Sequence, residues 1–451
     1  MVNSEEGYTV LPRGTVHLSA LDRQAESFIE PAAWQRNVEH SLLNNILFDT
    51  AVLIPDVFFF ISRGLMGHIN TAMVNNRISL LEASISAGIA IPAFREKGCA
   101  DFTQAYTTIN STGIRGLLPY EGNVQHIVAR LDAAARDADA FRAVTWPERG
   151  VGALFEDNLT TFFQPPGDVS PIASPRIQEI WQRTGPWRLE VLNSARRRRT
   201  TGFRRGDYMA ALGEAVGLGE RPIDDVSQLF PAVRDPGERL ALQVLCLWMN
   251  ECYSYSQARA FGIRPNLPDF RPEYSLATLA ALESAGDDRV GSQTEELTVT
   301  ASMPPQHVLL TMDAEALVQL RRTPAGQDYF AAADYWRGNP LSEGAKQAVG
   351  DTFWNYAKAI SWEAYKKETY NETFIKLRLA AFNGPTRKLA TAVTAAMSAA
   401  TGAVFGAAGL SSVPYIMAGG VTYAAYVWAT DRARTRGHTL KASIELCLPA
   451  D

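Results

Sequence analysis

The sequence predicts a mainly α-helical protein, with a multi-helix body, a small α/β element near the N-terminus and a C-terminal helical hairpin rich in small residues. Three observations lead to this fold class. Apolar residues recur at three- and four-residue steps in the long segments. Two short apolar segments between residues 44 and 94 have the length of strands. Residues 390–430 contain no charged residue and no histidine, although charged residues make up 20% of the chain.

The α/β element is predicted from two apolar segments and the segment between them. "NNILFDTAVLI" (44–54) and "GIAIPAF" (88–94) are the two predicted strands, and "RISLLEASISA" (77–87) is a predicted helix. A strand–helix–strand order is typical of two parallel strands joined by a helical crossover. We therefore expect a small parallel sheet in this part of the chain.

The helical body is predicted from long segments without helix breakers. Residues 239–261 carry Leu242, Leu245 and Trp248 at three-residue steps, which indicates a helix that faces the core. Residues 313–336 and 345–382 predict further helices. The second of these is rich in aromatic residues, which we interpret as packing residues: Phe353, Trp354, Tyr356, Trp362, Tyr365 and Tyr370.

Proline-rich and polar segments divide the chain into regions. The length of 451 residues favours about three domains. Breaks at 164–175, 287–306 and 383–385 predict four regions, with one short strand, "ELTVTASM" (296–303), in the polar linker. The predicted regions are 1–163, 164–283, 284–386 and 387–451.

Bulk composition limits the location and the partners of the protein. The net charge of −5 excludes a protein that binds nucleic acid over its whole surface. The N-terminus lacks the basic and apolar parts of a secretory signal, so we expect a cytoplasmic protein, or one at the cytosolic face of a membrane. The four cysteines and six histidines have no metal-binding spacing, and we interpret them as reduced thiols and as isolated imidazoles.

The uncharged segment 390–430 predicts two helices, Ala390 to Leu410 and Val413 to Thr430. Each approaches the roughly 30 Å hydrocarbon thickness of a bilayer, and basic residues flank both ends of the segment. Small residues every four positions allow close helix packing, either within a protein or oligomer or in a membrane, and both alternatives stay open. The candidate contact residues are Ala395, Ala399, Gly402, Ala403, Gly406 and Ala407.

An arginine-rich segment, "NSARRRRTTGFRRGDY" (193–208), is a candidate anion-binding site. Arginine guanidinium groups match phosphate oxygens, so nucleic acid, another phosphate-bearing ligand or lipid headgroups are possible partners. The alternative is structural, because arginines at a helix C-terminus complement its dipole and pair with carboxylates. The six residues are Arg196, Arg197, Arg198, Arg199, Arg204 and Arg205.

The segment "ILFDTAVLI" resembles the opening strand of PIN-like nucleases, in which an acidic residue ends the first strand and binds metal. The resemblance covers about ten residues and implies that Asp49 and Glu96 are candidate catalytic residues, with Asp56 or Asp101 as helpers. It also implies Mg²⁺ or Mn²⁺, held by clustered carboxylates. The sequence contains no P-loop, nucleophile-elbow, HExxH or CxxC motif.

These features favour a non-enzymatic, bacterial-type effector or assembly protein without a cofactor. It would act through oligomerisation or membrane contact of its C-terminal hairpin, and the arginine-rich segment would contact an anionic partner. One alternative is the PIN-like, metal-dependent nuclease that uses Asp49 and Glu96. Another is a purely structural, self-assembling subunit.

Overall fold

The computed structural model describes residues 11–18, 31–94, 99–111, 121–138, 142–145, 148–163, 175–197, 205–219, 223, 226–266, 295–366 and 373–381. The chain divides into two compact units, residues 1–288 and 289–451, each treated by itself below. The predicted hairpin, residues 390–430, lies outside the described residues. The predicted boundary after residue 163 falls within unit 1, and the boundary after residue 283 lies close to the division between the units.

Unit 1 contains a parallel sheet whose strands are spread over most of its length. The sheet has five strands in the order β4-β3-β2-β1-β5, and every neighbouring pair is parallel. The predicted pairing of two parallel strands near the N-terminus is confirmed by β2 and β3. The strands are β1 (Thr15–Leu18), β2 (Ala51–Pro55), β3 (Ala90–Phe94), β4 (Val144–Thr145) and β5 (Arg264–Asn266).

The described helices of unit 1 include the predicted crossover between β2 and β3, where Ser79 and Glu82 form a capping box. Cys246 and Cys252 are buried in the long helix that precedes β5, as expected for core thiols. The helices are α1 (Pro31–Phe48), α2 (Phe58–Ile61), α3 (Arg63–Val74), α4 (Leu80–Ser86), α5 (Phe102–Ser111), α6 (Val124–Arg136), α7 (Glu148–Phe163), α8 (Pro175–Arg197), α9 (Arg205–Ala215) and α10 (Pro236–Ala260).

The prediction that residues 44–48 belong to a strand is wrong. They form the last turn of α1, because Leu42, Leu43 and Ile46 are buried at helical spacing. The strand begins only at Ala51. Residues 44–54 form the end of a helix and then a strand, so this apolar segment follows neither the helical nor the strand period throughout. The boundary between the two elements could therefore not be predicted from the sequence.

Helices cover both faces of the sheet. On one face, Leu53 of β2 and Ile91 of β3 belong to a buried cluster that also contains Val151 of α7 and Ala258 of α10. On the other side, α1 and α4 contact β2 and β3. Parallel sheets require such cover, because both of their faces are apolar.

An aromatic core joins α7, α8 and α10. Trp181 and Trp248 both pack against the ring of Phe162. The buried guanidinium of Arg188 lies 3.5 Å from the ring centroid of Trp181. It donates hydrogen bonds to the carbonyl oxygen of Phe163, the last residue of α7, and to that of Trp181 within α8.

Unit 2 contains a two-stranded antiparallel sheet, β6 (Glu295–Met303) and β7 (Thr373–Ala381). The strand predicted at 296–303 is confirmed by β6, but the helix predicted to continue to residue 382 ends at Tyr365. Val299, Ala301 and Met303 of β6 are buried in alternation, and β6 packs against the last helix. The helices are α11 (Gln306–Thr311), α12 (Ala314–Leu320), α13 (Pro324–Gly338) and α14 (Glu343–Tyr365).

The core of unit 2 is built from aromatic rings on α13 and α14. The rings of Tyr329 and Tyr356 stack at a centroid distance of 5.5 Å, and Phe353 packs beside Tyr329. The start of α13 approaches α12 so closely that a Cβ atom on Gly326 would lie 2.5 Å from the carbonyl oxygen of Leu320. Only glycine fits at this contact.

Two glycine substitutions in unit 2 therefore have opposite expected effects. We expect Gly326→Ala to lower the free energy of unfolding by about 1–3 kcal/mol, because backbone must shift to admit the methyl group. Gly350 lies inside α14, where an added Cβ meets nothing within 4 Å. Gly350→Ala should raise the free energy of unfolding by about 0.5–1 kcal/mol through helix propensity. Urea unfolding curves of both variants test this, and a Gly326→Ala variant as stable as wild type would contradict it.

Candidate functional sites

Asp49, the first candidate of the PIN-like resemblance, lies at the amino edge of the sheet. Asp49 is buried between α1 and β2, at the amino edge, so it precedes a strand and does not end one. Glu96 lies outside the described residues, but β3 ends at Phe94, at the carboxyl edge. Strand β2 separates these edges by about 16 Å. The structure therefore does not place Asp49 beside the end of β3.

The two helper residues each accept a hydrogen bond from a nearby backbone N–H group. Asp56 follows β2 at the carboxyl edge, is buried, and accepts a hydrogen bond of 2.6 Å from the backbone N–H of Val57. Asp101 precedes α5 and accepts a hydrogen bond from the backbone N–H of Gln104, as an N-cap does. Among the described residues, no group of three or more His, Cys, Asp or Glu side chains is arranged to hold a metal ion.

The described part of the arginine-rich segment is partly neutralised by carboxylates. Nη2 of Arg197, the last residue of α8, lies 3.0 Å from Oε1 of Glu190 and 3.2 Å from Oε2 of Glu214. Glu214 belongs to α9, so Arg197 links the two helices. Arg196 also lies in α8, and Arg205 is the first residue of α9. Arg198, Arg199 and Arg204 lie outside the described residues.

The strand order of unit 1 defines a second candidate site, at the junction of β1 and β5. Strands β2, β3 and β4 follow β1 on one side, and β5 returns to its other side. Open parallel sheets bind ligands where the strand order reverses, outside the carboxyl ends of the strands. His17 lies one residue before the end of β1, in register with Pro265 of β5 and Leu53 of β2.

His17 is fully buried within the sheet. Burial lowers the pKa of His17 from its ordinary value of 6.5 to about 3, because the protonated imidazole would lose its hydration. The side chain is therefore neutral at pH 7. Because in-register neighbours share a face, His17 is on the same side of the sheet as Leu53, the side that α10 covers.

Gln257 of α10 faces the same side of the sheet. Tyr253, four residues before it, and Phe261, four residues after it, both pack against the cluster that contains Leu53. Residues at four-residue steps share one helix face, so Gln257 lies between these two rings. Its side chain is completely buried, and neither Oε1 nor Nε2 has a hydrogen-bond partner in the structure as described.

Unit 2 presents an aromatic stripe on α14, which we define as Trp354, Lys358 and Trp362. These residues follow one another at four-residue steps along the outer face of the helix. Trp362 is 68% exposed, and Nζ of Lys358 lies 5.1 Å from the ring centroid of Trp354, which is half-buried. The prediction that these aromatic residues pack in the core is confirmed for Phe353 and Tyr356 but is wrong for Trp362 and Tyr365. Tyr370 lies outside the described residues.

Sequence reasoning overlooked β1 and Gln257. Strand β1 has only four residues, too few for a period to be visible. A signal for Gln257 was present, since an uncharged polar residue interrupts the apolar face of a helix that was correctly predicted.

No known protein family, curated protein or solved structure matches this chain. Within the described ranges, no helix has both the length and the apolar character that a membrane crossing requires.

The low pKa of His17 predicts an acid-sensitive fold. Between pH 6.5 and about 3 the unfolded chain binds a proton at His17 that the folded chain does not bind. The free energy of unfolding should therefore decrease as the pH falls through this window, at about 1.4 kcal/mol per pH unit for this group. Urea unfolding of wild type and His17→Gln at pH 7.5, 6.0 and 5.0 measures the difference. Equal pH dependence in both proteins would contradict the prediction.

In the arginine-rich segment, Arg197 and the remaining arginines have different expected roles, which substitutions can distinguish. Arg197 forms exposed ion pairs, so Arg197→Ala should lower the free energy of unfolding by less than about 1 kcal/mol. If the segment binds phosphate groups, replacing Arg198, Arg199 and Arg204 with alanine should lower the salt concentration at which the protein elutes from heparin.

A charge-matched control uses three exposed arginines elsewhere in unit 1, Arg136, Arg142 and Arg234. Their replacement changes the net charge equally, so this control should elute close to wild type. Equal shifts for both triple variants would mean that heparin responds to net charge and not to a site.

Proposed function

We propose that the protein is a non-enzymatic assembly or effector protein whose copies associate through the C-terminal region. In this proposal, the uncharged segment 390–430 of one copy packs against the aromatic stripe of α14 in another. The arginine-rich segment then contacts an anionic partner. The exposure of Trp362 is the observation that carries the proposal.

The aromatic stripe has the properties of a protein contact surface. It extends for about 12 Å along α14, from Trp354 to Trp362. Tyr365, one turn beyond Trp362, is 50% exposed. Tryptophan, tyrosine and the alkyl part of lysine offer large contact areas, and aromatic residues are enriched in interfaces relative to the rest of the surface. Exposing such side chains to water is unfavourable unless a partner covers them.

The composition of segment 390–430 supports its choice as the segment that covers the aromatic stripe of another copy. The segment has no charged side chain over 41 consecutive residues, so its burial costs no desolvation of ions. Its many alanine and glycine residues allow another chain to approach closely, and the large rings of the stripe match such small residues. The segment begins nine residues after the end of β7, so it belongs to the part of the chain that follows the stripe.

The competing proposals differ in what they require. Membrane contact requires segment 390–430 to enter lipid, and the exposed tryptophan and lysine of α14 would then suit a membrane surface. The nuclease requires clustered carboxylates, and Asp49 lies at the amino edge of the sheet, away from the end of β3. The exposed aromatic stripe supports assembly. Among the described residues, Asp49 belongs to no cluster of carboxylates that could hold a metal ion.

Assembly is tested by measuring the mass of full-length protein in solution. We expect light scattering after gel filtration to give a multimer at micromolar concentration. Trp362→Gln should weaken association by at least about tenfold, as is typical for the loss of a tryptophan anchor. Removal of residues 387–451 should give a monomer.

The control variant is Tyr335→Gln, which removes an aromatic residue that is 59% exposed on α13. It should leave the mass unchanged. A monomeric full-length protein would contradict the proposal. Full-length protein that stays with vesicles through a carbonate wash, together with a monomeric detergent-extracted form, would favour the membrane alternative.

A further inference from the structure

Strand β6 has a sheet edge without the features that usually protect one. Four of the described strands, β4, β5, β6 and β7, lie at the end of their sheet and have one strand neighbour each. Proteins protect such edges from other strands by keeping them short or by placing proline or lysine in them. Strand β4 has two residues, β5 has three with Pro265 at its centre, and β7 contains Lys376 and Arg378. From Leu297 to Met303, β6 has neither proline nor a charged residue.

The backbone of β6 is suited to accept a further strand. Its register with β7 continues without a bulge over nine residues, from Glu295 to Met303. In an antiparallel pair, every second residue directs its N–H and C=O groups away from the partner strand. Of the described elements, β7 and α14 are the main neighbours of β6, and the β-branched residues Thr298 and Thr300 are half-buried. A strand that adds at this edge would therefore pair with backbone groups that no other described strand uses.

The aromatic stripe of α14 borders this edge. Helix α13 packs on β7 and α14 packs on β6, so the side of α14 that is turned away from α13 lies toward the free edge. Phe353 and Tyr356 are on the side of α14 that meets Tyr329 of α13. At about 3.6 residues per turn, Lys358 at the centre of the stripe lies about half a turn round the helix from them. The free edge of β6 and the stripe therefore form one continuous surface.

Residues 421–428, "VTYAAYVW", have the composition that this surface requires, and they lie outside the described residues. Six of the eight residues are β-branched or aromatic, which are the residues that strands favour, and none is charged. Gly419 and Gly420 precede them, and the charged residues Asp431 and Arg432 follow after two further residues, so the run is about as long as β6. The second helix predicted for segment 390–430 includes these residues, but their composition also fits a strand where a sheet edge is available.

We propose that residues 421–428 of a second copy add to the free edge of β6 as a third strand, against the aromatic stripe of α14. In this mode of recognition, main-chain hydrogen bonds supply affinity, and the stripe contacts the side chains on one face of the added strand. The strand addition rests on the proposed function, in which segment 390–430 of one copy packs against the stripe of another, and it gives that contact a backbone component.

The test is residue-level amide hydrogen exchange of β6 in the full-length protein, measured at a concentration that gives the multimer and after dilution to the monomer. In both states, the N–H groups that pair with β7 should exchange slowly. The alternate N–H groups, which face the free edge, should exchange at least about tenfold more slowly in the multimer than in the monomer, because the added strand hydrogen-bonds to them.

The matching variant is Thr298→Glu/Thr300→Glu, which places two charges on the edge strand. Both positions are in register with basic residues of β7, Arg378 and Lys376, so the pairing of β6 with β7 within one copy is favoured. The same charges disfavour the addition of an uncharged strand at the free edge. The protein concentration at which half of the copies are associated, measured by light scattering, should therefore rise about tenfold.

The control variant, Gln319→Glu/Gln327→Glu, adds the same charge at exposed positions of α12 and α13, and it should associate as wild type does. An edge variant that associates as tightly as wild type, or a wild-type multimer whose alternate β6 amides exchange as fast as in the monomer, overturns the strand addition and leaves the proposed function in place. The exchange measurement needs no substitution, so it decides even where the edge variant is less stable.

Two further outcomes also overturn the strand addition. Slow exchange of the alternate amides in the diluted monomer would mean that the C-terminal segment of the same copy occupies the edge. Full-length protein that is monomeric at every concentration would contradict the proposed function together with the strand addition.

Discussion

The pairing of β1 with β5 is the contact on which the arrangement of unit 1 depends. Strand β1 is only four residues long, yet it holds β2 on one side and β5 on the other. Residues 15–18 and 264–266 are thereby joined across almost the whole unit. Parallel strands cannot be connected by a tight turn, so each step along this sheet needs a crossover, and the crossovers supply the helices that cover its faces. Because α10 runs directly into β5, this pairing also sets α10 over the sheet, where Ala258 joins the buried cluster that contains Leu53 and Ile91.

Local patterns predicted those parts of the fold in which one period holds over a whole element. The crossover between β2 and β3, strand β6 and the long helix α10 all have a clear period and clear boundaries. Failures occurred where one apolar run serves two elements. Residues 44–48 finish a helix although they adjoin a strand, and residues 373–381 form β7 although they follow an aromatic helix. Strands β1 and β5 are formed through distant partners, and sequence periodicity contains no information about those partners.

Site residues were harder to predict than elements, because function depends on what distant segments bring together. Asp49 was a reasonable metal ligand as long as the residues before it were taken as a strand, and one helical turn places it at the other edge of the sheet. Arg197 carries the charge that the sequence indicated, but Glu190 and Glu214 are its neighbours in the fold. The exposure of Trp362 was likewise hidden, since an aromatic residue every three or four positions on a helix is ordinarily a core residue. The packing of α14 on α13 and on β6 decides which of its rings face water.

The two units depart from the usual distribution of polar and apolar side chains in opposite directions. Unit 1 encloses the side-chain amide of Gln257, for which the structure as described offers no hydrogen-bond partner. Unit 2 leaves apolar rings outside, of which Trp362 is the largest. Both arrangements lower the stability of the isolated protein, and in each case a simple substitution, leucine inside or glutamine outside, would remove the cost. The position of each of these side chains, inside or outside the core, therefore decides which kind of substitution would stabilise its unit.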